Sequence, residues 1–207
     1  MASIRFQCFL GIFLLGVAFS LTFTLKTIKK EKENQELKLD QISQSLREVQ
    51  KFFVWKDKRD KEIQHIEEML KPWEAEYLAP YIYRKSQKYG LEPKLIVALI
   101  AWESAFTFDP KIKSPVGAVG LMQVMPSTAS KLLGRKITPK ELENISLNLE
   151  LGCYYLSILF SRFSDLKAVL ASYNGGPRRG VSLLKGKWIP KETKTYVKNV
   201  CKLYLTI

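Results

Sequence analysis

One glutamate, Glu103, stands at the end of an apolar run that extends from Leu95 to Trp102. Burial beside apolar side chains disfavours the charged form of a carboxyl group and raises its pKa. A carboxylic acid that keeps its proton near neutral pH can donate that proton to a leaving group. Glu103 is therefore the candidate general acid of this chain.

Other kinds of chemistry find little support in the residue types. The only histidine, His65, lies outside the C-terminal part, which excludes a Ser-His or Cys-His nucleophilic pair there and argues against a zinc site. We expect no metal and no cofactor. Cys8 falls in an N-terminal apolar stretch. Cys153 and Cys201 are expected as buried thiols, although spacing alone leaves a disulfide between them open.

Four short segments occur in a fixed order along the chain. They are Glu103-Ser-Ala-Phe106, Gly120-Leu-Met-Gln-Val-Met-Pro126, Ala171-Ser-Tyr-Asn-Gly-Gly176 and Glu192-Thr-Lys-Thr-Tyr-Val197. Together they resemble the signature blocks of the lysozyme-like lytic transglycosylases, the soluble-lytic-transglycosylase type of glycoside hydrolase family 23. The resemblance covers about residues 81–204.

The resemblance implies a reaction and a set of site residues. The reaction is cleavage of the MurNAc–GlcNAc β-1,4 bond of peptidoglycan with formation of 1,6-anhydroMurNAc, and Glu103 is the single acid and base. Asp109 is expected as a loop or capping residue, and Glu192 as a helix-start residue. The implied substrate-binding residues are Ser104, Ser114, Met122, Gln123, Tyr173, Asn174 and Tyr196.

Some roles within this set stay open. Ser104 could hold the glutamate loop, and Met122 suits the core and the cleft wall equally well. The resemblance places the Tyr173 hydroxyl close to the carboxyl group and has Asn174 bond loop backbone. This chain also departs from the family pattern, because Thr107 and Phe108 lengthen the loop toward Ser114 by two residues. We expect the change to affect the rim of the cleft.

Two other functions compete with this interpretation. A goose-type muramidase would hydrolyse the same bond with the same glutamate, but it would need a second carboxylate to activate water. A non-catalytic wall-binding subunit of a secretion or division complex would keep the fold without the chemistry. Nucleic-acid binding would rest on charge alone, without a recognised motif, and is not expected.

The positive charge of the chain is concentrated in the region of the four blocks. The net charge is +13, and residues 77–207 contribute +12 of it, from 20 Lys and Arg against 8 Asp and Glu. Such a surface attracts an anionic polymer. The expected partner is the peptidoglycan glycan strand.

The N-terminus carries an apolar run, residues 6–25, which is long enough to span a bilayer as a helix. We expect a membrane anchor in residues 1–25. A signal peptide cleaved after Ser20 is the alternative. Lys26, Lys29 and Lys30 follow the run and by the positive-inside rule favour a cytoplasmic domain. The family resemblance favours the opposite topology, with the domain in the periplasm and the chain in the inner membrane.

Between this run and the blocks, the composition predicts a helical stalk over residues 26–72. It lacks Gly from residue 26 to 70 and ends near Pro72. A heptad seam predicts a coiled-coil-like stalk, able to form a homodimer or to join an envelope complex. The seam consists of Leu39, Ile42, Leu46, Val49 and Phe53.

The remaining chain, residues 73–207, is predicted to be the catalytic domain. Gly90 is predicted to end one helix and Pro93 to begin the next. Thr138 and Glu141 have capping-box spacing, and helices are predicted over 148–163, 166–173 and 190–207. The fold class is all-α, or α+β at most through a minor hairpin near residues 117–120.

Overall fold

Helices make up most of residues 2–207, the part of the chain that the computed structural model describes, with side chains described from residue 15 onward. The α-helices are α1 (Ala2–Leu70), α2 (Ala79–Tyr89), α3 (Pro93–Glu103), α4 (Pro126–Leu133), α5 (Ile145–Arg162), α6 (Leu166–Gly175), α7 (Pro177–Leu184) and α8 (Lys191–Thr206). Short 3₁₀ helices lie at Lys71–Trp73, Glu76–Leu78 and Glu141–Glu143. No strand occurs in these described residues, so the all-α prediction is confirmed.

Local sequence signals set the borders of the two helices that lead to Glu103. Gly90 follows α2 with φ +62°, the left-handed conformation that glycine adopts without steric cost. Pro93 lies in the first turn of α3, where no backbone N–H is needed. Both predicted borders are confirmed.

The predicted capping box is present, but it precedes a 3₁₀ helix. The Thr138 N–H donates to Glu141 Oε2 at 2.8 Å, and the Glu141 N–H donates to Thr138 Oγ1 at 3.3 Å. α5 then begins three residues before the predicted start, because the Asn144 side chain accepts a hydrogen bond from the Leu147 N–H at 3.0 Å and caps the helix.

Two helices were not predicted. α4 and α7 begin at Pro126 and Pro177, each with proline in the first turn. Both prolines follow segments rich in site residues, which the sequence pattern presented as loops. The hairpin near residues 117–120 is absent. Its place is taken by two isolated antiparallel bridges, Lys113 with Val119 and Val119 with Val124.

The chain divides into two compact units, the first ending at Lys58 and the second being Arg59–Ile207. In the first unit the described side chains lie along α1 and are exposed almost without exception, including all five residues of the heptad seam. Its helical character agrees with the predicted stalk. The coiled coil and the dimer stay predictions.

Within the described part of the chain, no helix combines enough length and apolar character to cross a membrane. The predicted anchor covers residues 6–25, and residues 6–14 of it lie outside the residues whose side chains are described. The anchor therefore also stays a prediction.

The second unit is built around α3. Its residues from Leu95 to Ala101 are buried, and it packs against α2 and α8. Ile66 and Leu70, near the end of α1, are buried in the same core. The unit thus begins 14 residues before the predicted boundary at 72/73, because the last turns of α1 contribute apolar side chains to it.

Candidate active site

Glu103 is the last residue of α3, and its side chain is half-buried. Burial raises the pKa of its carboxyl group from the ordinary 4.5 to about 7. The Tyr196 hydroxyl donates to Glu103 Oε1 at 2.6 Å, which favours the carboxylate and opposes part of the rise. The outcome is a carboxyl group that is half protonated near neutral pH.

A strained turn follows Glu103 and ends α3. Ala105 and Phe106 have φ values of +51° and +61°, in the left-handed region that side chains disfavour. The Phe106 N–H donates to the Ala101 carbonyl at 2.7 Å, and the Ser104 hydroxyl accepts from the Phe108 N–H at 3.2 Å. Ser104 is completely buried. It holds the turn, which is the role left open for it above, and it is not among the residues that line the cleft.

The two additional residues of this loop are part of the packed structure. Phe108 is only 3% exposed and stacks on Trp73, with 5.3 Å between ring centroids. The Thr107 hydroxyl donates to the Ser104 carbonyl at 2.6 Å. The longer loop is thus taken up by the core, and Ser114 still lines the same cleft as Glu103.

The Gln123 side chain lies on the cleft at the end of a compact loop. Its Nε2 donates to the carbonyl oxygens of Gly120 at 2.9 Å and Ile112 at 3.3 Å. Its own backbone is strained, with φ +46°. Because the amide NH₂ group is engaged within the loop, the amide oxygen is the atom of Gln123 best placed to accept a hydrogen bond from a ligand.

A residue that the sequence analysis missed, Asn148, fixes this loop. Asn148 is fully buried, accepts from the Met122 N–H at 2.8 Å and donates to the carbonyls of Val119 at 2.8 Å and Leu142 at 2.9 Å. A Cβ on Gly120 would lie 2.3 Å from Asn148 Nδ2. The sequence did contain a signal for this role, because Asn148 is a polar residue directly before Leu149. The predicted buried stripe of α5 began only at Leu149, so Asn148 was left out of it.

Met122 and Tyr173 belong to the layer behind the cleft. The Met122 side chain is fully buried, with its sulfur 3.8 Å from the Cys153 sulfur, so the core alternative holds for it. The Tyr173 hydroxyl donates to the Met122 carbonyl at 2.9 Å. Burial and the nearby Glu103 charge raise the Tyr173 pKa well above its usual value. The tyrosine is thus near the carboxyl group, but its hydrogen bond goes elsewhere.

Asn174 and Tyr196 connect α6 and α8 at the cleft. The Asn174 Oδ1 accepts from the Thr193 hydroxyl at 2.9 Å, a side-chain contact in place of the predicted bond to loop backbone. Tyr196 is 4% exposed, so its ring packs in the core while its hydroxyl meets Glu103. Burial and the adjacent Glu103 carboxyl raise the Tyr196 pKa well above its usual value, which keeps its proton in place.

These groups surround a cleft of about 550 Å³. Five of the eight predicted site residues line it, and Ser104, Met122 and Tyr173 do not. The complete lining is Trp102, Glu103, Ser114, Gln123, Asn174, Lys191, Glu192, Thr195 and Tyr196.

Two other acids, Asp109 and Glu192, lie in or near the four sequence blocks. Asp109 is exposed and accepts from the Lys111 N–H at 2.8 Å, which caps a turn as expected. Glu192 lies in the first turn of α8, also as expected. Glu192 in addition lines the cleft, a position that the sequence analysis did not assign to it.

The Cys153 and Cys201 thiols are both free. Burial raises the pKa of each, and most strongly that of Cys153. Neither thiol lines the cleft.

Fold and site thus define a helical domain with one desolvated carboxyl group on an open cleft. Residues 80–193, more than half of the chain, match the family described as Transglycosylase SLT domain. The chain belongs to this family.

Curated relatives of the chain include proteins named as lytic murein transglycosylases. The soluble lytic murein transglycosylase of Escherichia coli K12 is 35% identical over 122 residues, which are 50% of this chain and 19% of the relative. The membrane-bound lytic murein transglycosylase C of Actinobacillus pleuropneumoniae (serotype 5b, strain L20) is 34% identical over 116 residues, 49% of this chain and 31% of the relative. The chain therefore spans less than a third of either relative.

Solved structures show the same likeness. The 70 kDa soluble lytic transglycosylase of E. coli superposes with a TM-score of 0.54 at 31% identity, covering 60% of this chain and 23% of that one. An inactive glutamate-to-glutamine variant of the lytic transglycosylase Slt from Pseudomonas aeruginosa gives 0.52 at 32% identity, with coverages of 60% and 23%.

Proposed function

We propose that this chain is a peptidoglycan lytic transglycosylase that cleaves the MurNAc–GlcNAc β-1,4 bond and leaves a 1,6-anhydroMurNAc end. The observation that carries the proposal is the Glu103 carboxyl group, which burial holds at a pKa of about 7 on the wall of the cleft. Family membership supports the same reaction.

In the first step Glu103, in its protonated form, donates its proton to the glycosidic oxygen. The bond from C1 of MurNAc to that oxygen breaks, and the GlcNAc hydroxyl leaves with the proton. The substrate N-acetyl group can assist at C1. Burial contributes here because it keeps a proton on the acid at a pH where an exposed glutamate has lost it.

In the second step the Glu103 carboxylate accepts the proton of the C6 hydroxyl of the same MurNAc. The C6 oxygen then bonds to C1 and closes the anhydro ring. Glu103 regains its proton, and no water is consumed. The Tyr196 hydroxyl, 2.6 Å from Oε1, stabilises the carboxylate between the two steps.

The polar side chains on the cleft are proposed to position the glycan. Ser114, Gln123 and Asn174 present hydroxyl and amide groups suited to sugar hydroxyl and N-acetyl groups. Ser104, Met122 and Tyr173 act indirectly in this proposal, since they fix the turn and the loop that carry Glu103 and Gln123.

Product analysis tests the proposal. The full chain and its Glu103→Gln variant are incubated with purified sacculi, and the released muropeptides are identified by mass. We expect anhydro ends from the wild type and almost no release by the variant. Reducing ends, heavier by one water, would instead identify a muramidase, and Glu192→Gln would then show whether the second acid of the cleft activates the water. No release by the wild type would favour the non-catalytic wall-binding subunit.

We further propose that residues 1–25 anchor the chain in the inner membrane, with the stalk (26–72) and the catalytic domain (73–207) in the periplasm. Relatives named as membrane-bound support an envelope location. A reporter fused after Ile207 and active only outside the cytoplasm tests the topology. Activity confined to a cytoplasmic reporter would contradict both the location and the substrate.

A homodimer through the stalk is also proposed, because the exposed seam repeats every seven residues. The Ile42→Cys variant should give a disulfide-linked dimer on oxidation. The control is Gln41→Cys, which lies beside the seam and should give much less dimer. Equal crosslinking at both positions would contradict a register set by the seam.

A further inference from the structure

A second concavity, the basic groove, lies on α8 and the segments packed beside it. Its volume is about 510 Å³, similar to that of the cleft. It is lined by Lys167, Leu183, Ile189, Lys194, Val197, Lys198, Cys201, Lys202 and Leu205. It shares no residue with the cleft, so the proposed reaction gives it no role.

The groove combines an apolar floor with a cationic border. On α8 the lysines recur every four residues, at Lys194, Lys198 and Lys202, and so line one side of the helix. Val197 and Cys201, also four residues apart, lie on the floor. None of these lysines forms an ion pair among the side chains that the structure describes.

Large apolar side chains project into solvent from the groove lining and from positions next to it in sequence. Leu205 of the lining is 75% exposed. Trp188, adjacent in sequence to the lining residue Ile189, is 78% exposed, and Leu184, adjacent to Leu183, is 54% exposed. Side chains of this size gain free energy when a partner removes them from water. Their projection suits insertion into a soft apolar layer.

The charge around the groove is mainly positive, although burial raises the pKa of the Cys201 thiol and the Asp165 carboxylate is close enough to raise it further. Residues 177–207 contain eight Lys and Arg and one acid, Glu192, which lies on the cleft. The excess of positive charge over these residues favours an anionic partner. Projecting tryptophan and leucine next to lysines is the pattern of helices that bind at the surface of an anionic membrane.

We propose that the basic groove and the projecting side chains Leu184, Trp188 and Leu205 dock the catalytic unit onto an anionic phospholipid bilayer. The lysines contact headgroup phosphates, and the three apolar side chains enter the boundary between headgroups and acyl chains. An acidic protein segment is the less favoured occupant, since it would cover the floor of the groove but leave the projecting side chains in water.

This docking is independent of the proposed chemistry. The cleft residues Glu103, Gln123 and Tyr196 are not part of the docking face, so a docked unit keeps its catalytic machinery unaltered. The attraction is electrostatic in part and decreases with ionic strength.

Quenching of Trp188 fluorescence tests the proposal on the full chain. The chain is reconstituted in vesicles whose acyl chains carry bromine, made either of phosphatidylcholine alone or of phosphatidylcholine with phosphatidylglycerol. Because the chain has four tryptophans, the quenching that disappears in Trp188→Phe is the part due to Trp188. We expect this part in the anionic vesicles only, and we expect salt to abolish it.

The lysines are tested by the triple variant Lys194→Gln, Lys198→Gln, Lys202→Gln. Each lysine near an anionic surface contributes roughly a fivefold factor to binding, so the docking equilibrium should weaken at least tenfold. The matched control is Lys71→Gln, Lys131→Gln, Lys136→Gln, which removes the same charge from exposed positions elsewhere and should keep the quenching. Both variants should release muropeptides from sacculi in detergent at the wild-type rate.

Three results would overturn the proposal. They are equal Trp188 quenching in both lipids, no Trp188 quenching in either lipid, and undiminished Trp188 quenching in the variant that lacks Lys194, Lys198 and Lys202. In the second case, binding of an acidic amphipathic peptide to the groove would reassign it to a protein partner. Loss of activity in the sacculus assay would concern the proposed function and leave this result unaffected.

Discussion

Each of two walls of the cleft carries an acidic side chain, and the two side chains differ in their exposure to solvent. On one wall Glu103 is half-buried at the end of α3, and the turn and loop beside it are held by buried hydrogen bonds. On the other wall Glu192 lies in the first turn of α8 with its side chain exposed, next to the exposed Lys191 and Thr195. The burial of Glu103 raises its pKa to about 7.

This difference shows why one carboxyl group is suited to donate a proton and the other is suited to solvent contact. A buried acid keeps its proton to higher pH because burial disfavours its charged form. That same burial lowers the stability of the folded state at pH values where the unfolded acid ionises.

The largest effect is expected from Glu103→Gln. The change keeps the shape of the side chain but removes the proton, so the rate of muropeptide release should fall by about 10²–10⁴-fold. Circular dichroism should show an unchanged fold. Turnover close to that of the wild type would rule out Glu103 as the acid.

A large effect is also expected from Asn148→Ala, which removes the side chain that fixes the Gly120–Gln123 loop. Three buried hydrogen bonds disappear and backbone groups are left without partners, at a cost of about 1–3 kcal/mol for each unsatisfied group. We expect a fall in thermal stability together with a fall of at least tenfold in muropeptide release.

The matched control for this change is Asn144→Ala. Asn144 caps α5 through one exposed hydrogen bond to Leu147 N–H, so its loss should cost about 1 kcal/mol and leave catalysis nearly unchanged. If both variants lost activity in proportion to their stability, a specific role of Asn148 in positioning the loop would be excluded.

Glu103→Gln should also make the folded protein more stable than the wild type, by an amount that increases with pH. Below about pH 4.5 the wild-type Glu103 is protonated in both the folded and the unfolded state. Between pH 4.5 and about 7 the unfolded state ionises while the folded state keeps the proton, so the free energy of unfolding of the wild type falls by up to about 3 kcal/mol. Glutamine does not titrate.

Denaturant unfolding at several pH values measures this difference. The advantage of the variant over the wild type should grow from pH 4.5 to 7 and then stay constant. A constant difference across that range would mean that Glu103 has the same pKa in both states, and the desolvation argument would fail.

Tyr196→Phe should shift the pH dependence of catalysis. In the wild type, kcat/KM should decrease above about pH 7 as Glu103 loses its proton. The Tyr196 hydroxyl stabilises the carboxylate, so its removal raises the Glu103 pKa and moves the decrease in kcat/KM to higher pH. Tyr173→Phe is the control, because the Tyr173 hydroxyl donates to the Met122 carbonyl, and its kcat/KM should decrease at the same pH as in the wild type. A decrease at the wild-type pH in Tyr196→Phe would contradict the role of Tyr196 in stabilising the Glu103 carboxylate.

The smallest effect is expected from Glu192→Gln. This side chain is exposed, so the change should alter muropeptide release by less than about threefold and leave the anhydro product unchanged. A loss comparable with that of Glu103→Gln would remove the distinction between the two walls and support a mechanism with two carboxylates.

The helices that deliver Glu103 could be predicted because their signals are local. Gly90 and Pro93 mark borders through backbone preferences that do not depend on the rest of the fold. α4 and α7 were missed although each begins with proline, since short helices next to motif segments resemble loops when read along the chain. The packing of Ile66 and Leu70 into the second unit could not be predicted along the chain, because burial is a property of the packed core.

The sequence by itself determined which residue types were available for chemistry: one acid after an apolar run, and amides, hydroxyls and tyrosines in ordered segments. It could do so because apolar periodicity and motif order are written along the chain. Only the tertiary structure decided which of these groups meet. Ser104 and Met122 turned inward, Glu192 joined the cleft, and Asn148 became the residue that holds the loop. The reason is physical, since burial and hydrogen-bond partners come from segments far apart in sequence, and the pKa of Glu103 depends on both.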